Sequence, residues 1–149
     1  MLSQKTRYAL RSLLYLAETP GGRAIQIEEI ARTQNVPRKY LELILLDLKK
    51  AGFVASQRGR GGGYLLARPA AEIMFGEVIR AVEGPLALVP CVSFNFYRRC
   101  GDCHDEATCA IRRIMAIVRE DTSRVLDGTS LAEAASWEQK GEAAASPQG

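Results

Sequence analysis

Two short apolar runs, Phe53-Val54-Ala55-Ser56 and Tyr64-Leu65-Leu66-Ala67, flank Gln57-Arg58-Gly59-Arg60-Gly61-Gly62-Gly63. Glycine at this density excludes a helix, because each glycine costs about 1 kcal/mol relative to alanine in a helix interior. The segment reads instead as a β-hairpin with a long, glycine-rich, arginine-bearing tip. Glycines let a backbone come close to a polyanion, and Arg58 and Arg60 suit phosphates or a minor groove. A nucleotide-phosphate loop is the rival. It would open onto a helix and carry Gly-Lys-Ser/Thr, whereas Tyr64-Leu65-Leu66 reads as a strand closed by Pro69.

The chain before the hairpin is helical. Residues 3–18 place Ala9, Leu10, Leu13, Leu14, Leu16 and Ala17 on one wide face, with Ser3 as N-cap and Thr19-Pro20-Gly21-Gly22 as the stop. A short second helix spans 27–34. Asn35 supplies the left-handed turn residue, and Pro37 suits the first position of a third helix over 38–51. There Leu41, Ile44, Leu45 and Leu48 recur at one-face spacing, and Gly52 closes the helix. The outer face carries Arg38, Lys39, Glu42 and Lys49. Two short helices, a tight turn and a basic face are shared by an ordinary helical hairpin and a helix-turn-helix. The following hairpin, a wing, decides for the second. Charge agrees: residues 1–70 hold 12 Lys/Arg and 5 Asp/Glu, residues 71–149 hold 8 and 12. The basic half is expected to face a polyanion.

Downstream, residues 73–82 read as a helix, and residues 86–106 show no periodicity. A long helix is expected over 107–126, where Ile111, Met115, Val118, Thr122 and Val125 alternate four and three apart, with Ile114 and Ile117 widening the face. A second copy of the chain is the most economical partner for that seam; packing on the chain's own core is the alternative. Ser130-Leu131-Ala132-Glu133 matches a capping box that starts a short last helix. No apolar run approaches the roughly 18–20 residues that cross a bilayer, and no secretion signal is legible at the N-terminus, so a cytoplasmic protein without membrane contact is expected.

All four cysteines fall in one segment, as Cys91-x8-Cys100-x2-Cys103-x5-Cys109, with His104, the single histidine, beside Cys103. Clustered thiols in a loop before a helix suit iron–sulfur ligation. Zinc is an alternative, because Cys-x2-Cys is also a zinc half-site. A thiol switch is another, with Arg98 and Arg99 placed to lower the Cys100 pKa. The run 100–104 also matches a haem-attachment pattern, but no apoprotein built round haem is visible. One histidine and no nucleophile elbow leave no catalytic set, so no enzyme is expected.

Arg7-Tyr8-Ala9-Leu10, Ile30-Ala31, Lys39-Tyr40-Leu41-Glu42, the 58–66 hairpin, Gly76-Glu77-Val78-Ile79, Ala81-Val82-Glu83 and Gly128-Thr129-Ser130-Leu131 together resemble the Rrf-two family of winged helix-turn-helix regulators, which includes IscR and NsrR. The likeness covers roughly residues 1–133. It implies a mainly α fold with a small β-hairpin wing and a long C-terminal dimerisation helix. The divisions would be a DNA-binding domain at 1–84, a cysteine-rich sensor loop at 85–106, the dimerisation helix and a short following helix at 107–133, and a disordered tail at 134–149. It implies a homodimeric transcription regulator, a repressor by expectation, on a palindromic operator in double-stranded DNA. Arg38, Lys39, Tyr40, Glu42, Arg58, Arg60 and Gly61 are the residues expected at DNA. Many members hold an iron–sulfur cluster through three cysteines, a pattern that Cys91, Cys103 and Cys109 follow, though the first gap is longer here. The histidine that IscR places three residues after its last cysteine is Arg112. The expected fourth ligand is Cys100, with His104 as the alternative. Two-iron and four-iron clusters both stay open.

Overall fold

The computed structural model describes residues 1–140. Helix α1 (Gln4–Glu18) begins at Ser3, whose Oγ accepts the Thr6 N–H at 3.2 Å. It buries Ala9, Leu10, Leu13 and Leu16 at the centre of the molecule. Helices α2 (Ile27–Gln34) and α3 (Arg38–Lys50) pack against it. Between them Asn35 takes φ 52°, and the Val36 N–H returns to the Ala31 carbonyl at 2.9 Å. Pro37 is the N-cap of α3 rather than its first residue: its ψ of 128° is extended, while its carbonyl already accepts the Leu41 N–H at 2.9 Å. At the other end Gly52 takes φ 83°. Its N–H reaches Lys49 O at 3.1 Å and the Phe53 N–H reaches Leu48 O at 2.9 Å, a Schellman closure.

The wing is β1 (Val54–Gln57) paired antiparallel with β2 (Gly63–Leu66), from Val54 opposite Leu66 to Gln57 opposite Gly63. A third segment joins it. Ile25 and Tyr64 exchange both backbone hydrogen bonds, each 2.8 Å, which ties the wing to the entrance of α2. This approach explains Gly63: at φ 141° a Cβ there would lie 2.3 Å from the Ile25 carbonyl oxygen.

Helix α4 (Phe75–Val82) starts two residues later than the periodicity suggests. Ile73 is fully buried, and its carbonyl accepts the Leu131 N–H at 2.9 Å, while the Phe75 N–H donates to Thr129 O at 3.0 Å. Residues 73–75 are thereby drawn into an extended pairing with 129–131. Helix α5 (Ala110–Asp127) also starts late, because Asp105 occupies the Ala107 N–H (3.0 Å) and the Thr108 hydroxyl (3.2 Å) in a turn. Helix α6 (Leu131–Gln139) is capped by Ser130, whose Oγ accepts the Glu133 N–H at 3.1 Å, and it packs on α1. Residues 134–139 therefore belong to an ordered helix and not to a disordered tail, because Ala134 and Ala135 are buried with Leu131. The tail expected beyond residue 140 lies outside the described residues.

The core is built from Leu13, Ile25, Ile30, Leu41, Ile44, Leu45, Leu48, Ile73, Val78 and Leu131, all essentially without solvent exposure. No residue of α5 is fully buried. No helix among the described residues is long and apolar enough to cross a membrane.

Candidate functional site

The residues expected at DNA lie at the start of α3 and at the wing tip. Arg38 lies between two carboxylates, Glu28 of α2 at 3.0 Å and Glu42 one turn along at 2.8 Å. The pairing orients Glu42 and offsets part of the positive charge expected here. Lys39 is exposed and forms no ion pair among the described residues. Tyr40 is half-buried and meets Tyr8 edge-on, with ring centroids 5.7 Å apart, so much of its ring is a packing element between α3 and α1. Arg58, Arg60 and Gly61 all stand exposed at the tip. A Cβ on Gly62 would fall 2.5 Å from Gln57 O, whereas one on Gly61 meets nothing within 4 Å. The fold therefore requires glycine at 62 and leaves position 61 free.

Two features of this face escaped the sequence reading. Leu43 and Leu46 project outward from α3, 59% and 46% exposed. They fall outside the Leu41, Ile44, Leu45, Leu48 set, which was the available signal. Arg7 and Arg11 of α1, one turn apart, border a groove with Asn35 of the helix-helix turn.

The second site is the cysteine loop. Cys91 lies in a 3₁₀ turn, Pro90–Val92, and is buried; Cys100, Cys103 and Cys109 are half-buried. All four line one cavity of about 310 Å³, with His104 and Arg112 also on its wall. The two-residue spacing folds as a turn, the Cys103 N–H reaching Cys100 O at 3.2 Å. Cys109 is the N-cap of α5, its Sγ accepting the Arg112 N–H at 3.4 Å. The Cys100 thiol is pushed above its ordinary pKa, first by a hydrogen bond with the Cys91 thiol and then by burial. This reverses the expectation that Arg98 and Arg99 lower it. The Arg99 guanidinium is spent on the carbonyls of Cys103 and His104, at 3.1 and 3.2 Å.

No three Cys, His, Asp or Glu side chains among the described residues are gathered tightly enough for a single metal ion. A lone tetrahedral zinc needs its thiolates about 2.3 Å from one point. The thiolates of an iron–sulfur cluster are shared among two or four irons rather than converging on one, so a donor set of thiols spread round a wider cavity is compatible with a cluster.

The cavity adjoins α5, whose outer face is open: Ile111, Ile114, Ile117, Val118 and Val125 are exposed. Met115 and Thr122 of the expected seam are half-buried, on a helix that packs against α4 and the Pro90–Val92 turn. Arg80 grips Asp127 with two hydrogen bonds of 2.6 and 2.8 Å. Arg119 donates to the Val92 carbonyl and stacks on Phe94, 3.9 Å from the ring centre.

Comparison with known proteins agrees with this architecture. The Rrf2 (Rrf-two) family model, described as an iron-dependent transcriptional regulator, matches residues 2–136. An rrf2-like HTH-type transcriptional regulator of Rhodobacter capsulatus is 48% identical over 121 residues, covering 79% of this chain and 81% of that protein. Among solved structures, CymR, the global cysteine regulator of B. subtilis, superposes with a TM-score of 0.76 at 33% identity, covering 92% of this chain and 97% of that one. The IscR of T. potens superposes at 0.75 with 26% identity, covering 98% and 93%. With its winged helix-turn-helix, hairpin wing and long helix α5 in place, the chain belongs to the Rrf2 family of DNA-binding transcription regulators, a family of regulators and not of enzymes.

Proposed function

We propose that this regulator is a cytoplasmic homodimeric repressor whose grip on a palindromic operator is set by an iron–sulfur cluster on Cys91, Cys100, Cys103 and Cys109. The observation that carries this reading is the convergence of all four thiols on one cavity at the start of α5. The printed description of the family as iron-dependent supports it.

On the DNA side, α3 enters a major groove and the wing follows the backbone. Glu42, held by Arg38, accepts from an exposed cytosine amine, and Leu43 offers apolar contact to a thymine methyl. Lys39, Arg58 and Arg60 neutralise phosphates, the wing arginines also reaching a narrow minor groove. Tyr40 supports the helix from behind, and Gly61 lets the wing backbone approach closely. Two copies joined along the open α5 face present two such heads about one helical turn apart.

On the sensor side, a bound cluster supplies an iron- and redox-sensitive crosslink between thiolates. Cys91 anchors the buried end of the loop and Cys109 the start of α5. Cys100 and Cys103 come from one turn between them. His104 and Arg112 complete the wall.

The test is anaerobic purification followed by iron, acid-labile sulfide and zinc analysis. Iron and sulfide in matching amounts are expected, with each of Cys91→Ala, Cys103→Ala and Cys109→Ala losing them. Stoichiometric zinc without sulfide overturns the cofactor. Absence of duplex binding at low salt in every state overturns the function.

One observation favours a second reading, a thiol switch. The Cys91 and Cys100 thiols line the same cavity, and Cys91 is the foremost influence that pushes the Cys100 thiol up. Hydrogen peroxide could take two electrons and two protons from the pair, giving one disulfide and two waters. Reversible loss of those two thiols with no bound iron would select this reading.

A further inference from the structure

Arg119 sits halfway along α5, yet its side chain is only 14% exposed. Its guanidinium does three things. One nitrogen donates to the carbonyl of Val92, the residue after Cys91. The plane covers the ring of Phe94, and a second nitrogen reaches Glu120. Its Nε is buried with no partner among the described residues, a cost the molecule bears to keep the group in place. Phe94 is 74% exposed even with the guanidinium against its ring, so the arginine holds a side chain that the core does not. Val92 and Phe94 are thus both tied to one point on the helix that carries the open apolar face.

We infer that Arg119 is a positioning residue that joins the state of Cys91 to the angle of α5, and through it to DNA binding. The argument is mechanical. Cys91 and Val92 are buried in the same turn, so any bond made at the Cys91 sulfur moves the Val92 carbonyl. That carbonyl is held by a charged donor, among the stronger hydrogen bonds available. A further restraint on α5, the Arg80–Asp127 pair, lies two turns further on and fixes the C-terminal end. A shift at Val92 therefore pivots the N-terminal half of α5 about an anchored end. Interfaces respond to such shifts by repacking rather than by smooth deformation. The inference rests on the reading of the cysteine cavity as regulatory, but not on which chemistry occupies it.

The experiment uses the full chain, reduced and metal-free, in wild-type form and as Arg119→Ala, Arg119→Lys, Phe94→Ala and the control Arg113→Ala. The first measurement is the rate at which N-ethylmaleimide labels Cys91, followed by peptide mass spectrometry. Arg119→Ala should label roughly tenfold faster as the turn is released. Arg119→Lys, which keeps a charged donor, should fall between it and wild type, and Arg113→Ala should match wild type. The second is affinity for a short duplex before and after complete labelling. Wild type should change on labelling; Arg119→Ala should start within about twofold of wild type and then not respond. Unchanged Cys91 labelling in Arg119→Ala overturns the inference, as does an Arg119→Ala protein that still responds like wild type. If Arg119→Ala unfolds by circular dichroism, Arg119→Lys and Phe94→Ala carry the same comparison. A wild type indifferent to labelling defeats the regulatory reading of the cavity, while the labelling rates still judge the tie.

Discussion

Glu83, the residue that ends α4, accepts hydrogen bonds from the backbone N–H of Ser3 at 2.9 Å and from the hydroxyl of Thr6. One carboxylate thereby fastens the start of α1 to the end of α4 across 80 residues of sequence. Those donors, the Thr6 hydroxyl first, hold its pKa down to about 2 against an ordinary 4.5. A carboxylate depressed in the folded state stabilises the fold above its unfolded pKa and ceases to do so as pH falls through the folded value. Wild type should therefore melt at a higher temperature than Glu83→Gln at neutral pH, and the gap should close between pH 4.5 and 2. Thermal melts at pH 7 and pH 2.5 check this; a gap that does not narrow would contradict it.

The wing glycines separate stability from recognition. Gly63→Ala forces a Cβ onto the Ile25 carbonyl at a φ hostile to L-residues, and should cost about 2–4 kcal/mol in urea unfolding. Gly61→Ala meets empty space and should stay within about 0.5 kcal/mol of wild type. If Gly61 lies against DNA, as proposed, its alanine variant loses duplex affinity while keeping its stability.

Arg58→Ala and Arg60→Ala should each weaken duplex binding and flatten its salt dependence. Each phosphate contact removed lowers the slope of log K against log salt by about 0.9. Fluorescence anisotropy across a salt series measures it, and slopes equal to wild type would remove the wing from the interface.

The open face of α5 makes a prediction about assembly. Ile114 and Val118 are exposed in the single chain, so Ile114→Glu should leave the fold and melting temperature nearly unchanged. The same substitution should convert a dimer to a monomer in sedimentation equilibrium, because it places a charge in an apolar seam. A variant that stays dimeric would put the joint elsewhere.

The helices near the recognition face were legible because their signals are local. Leu41, Ile44, Leu45 and Leu48 spell one buried face, and Gly52 spells its end. What sequence did not reveal was pairing at a distance. Ile73 looked helical because it is apolar and in phase with α4, but Leu131, 58 residues on, claims its carbonyl. Ile25 pairs with Tyr64 without any strand-like run around it. At the cysteine site, composition named the thiols, yet the charge argument at Cys100 failed because the Cys91 thiol and burial, brought to it by the fold, dominate its surroundings. Arg119 carried no signal at all, since the contacts that matter here lie 25 and 27 residues away, on Phe94 and Val92.

The pairing of Met74 with Ser130 means that α4, the cysteine turn and α5 lie on one excursion of the chain that begins and ends at the same spot. On the proposed function, everything that senses, from the cysteine turn to the long outer rod, belongs to that detour between two adjacent doors. Such a detour can be lengthened, re-armed with other ligands or stripped of them while the head that reads the operator keeps its shape, so one scaffold can serve regulators that answer to quite different signals.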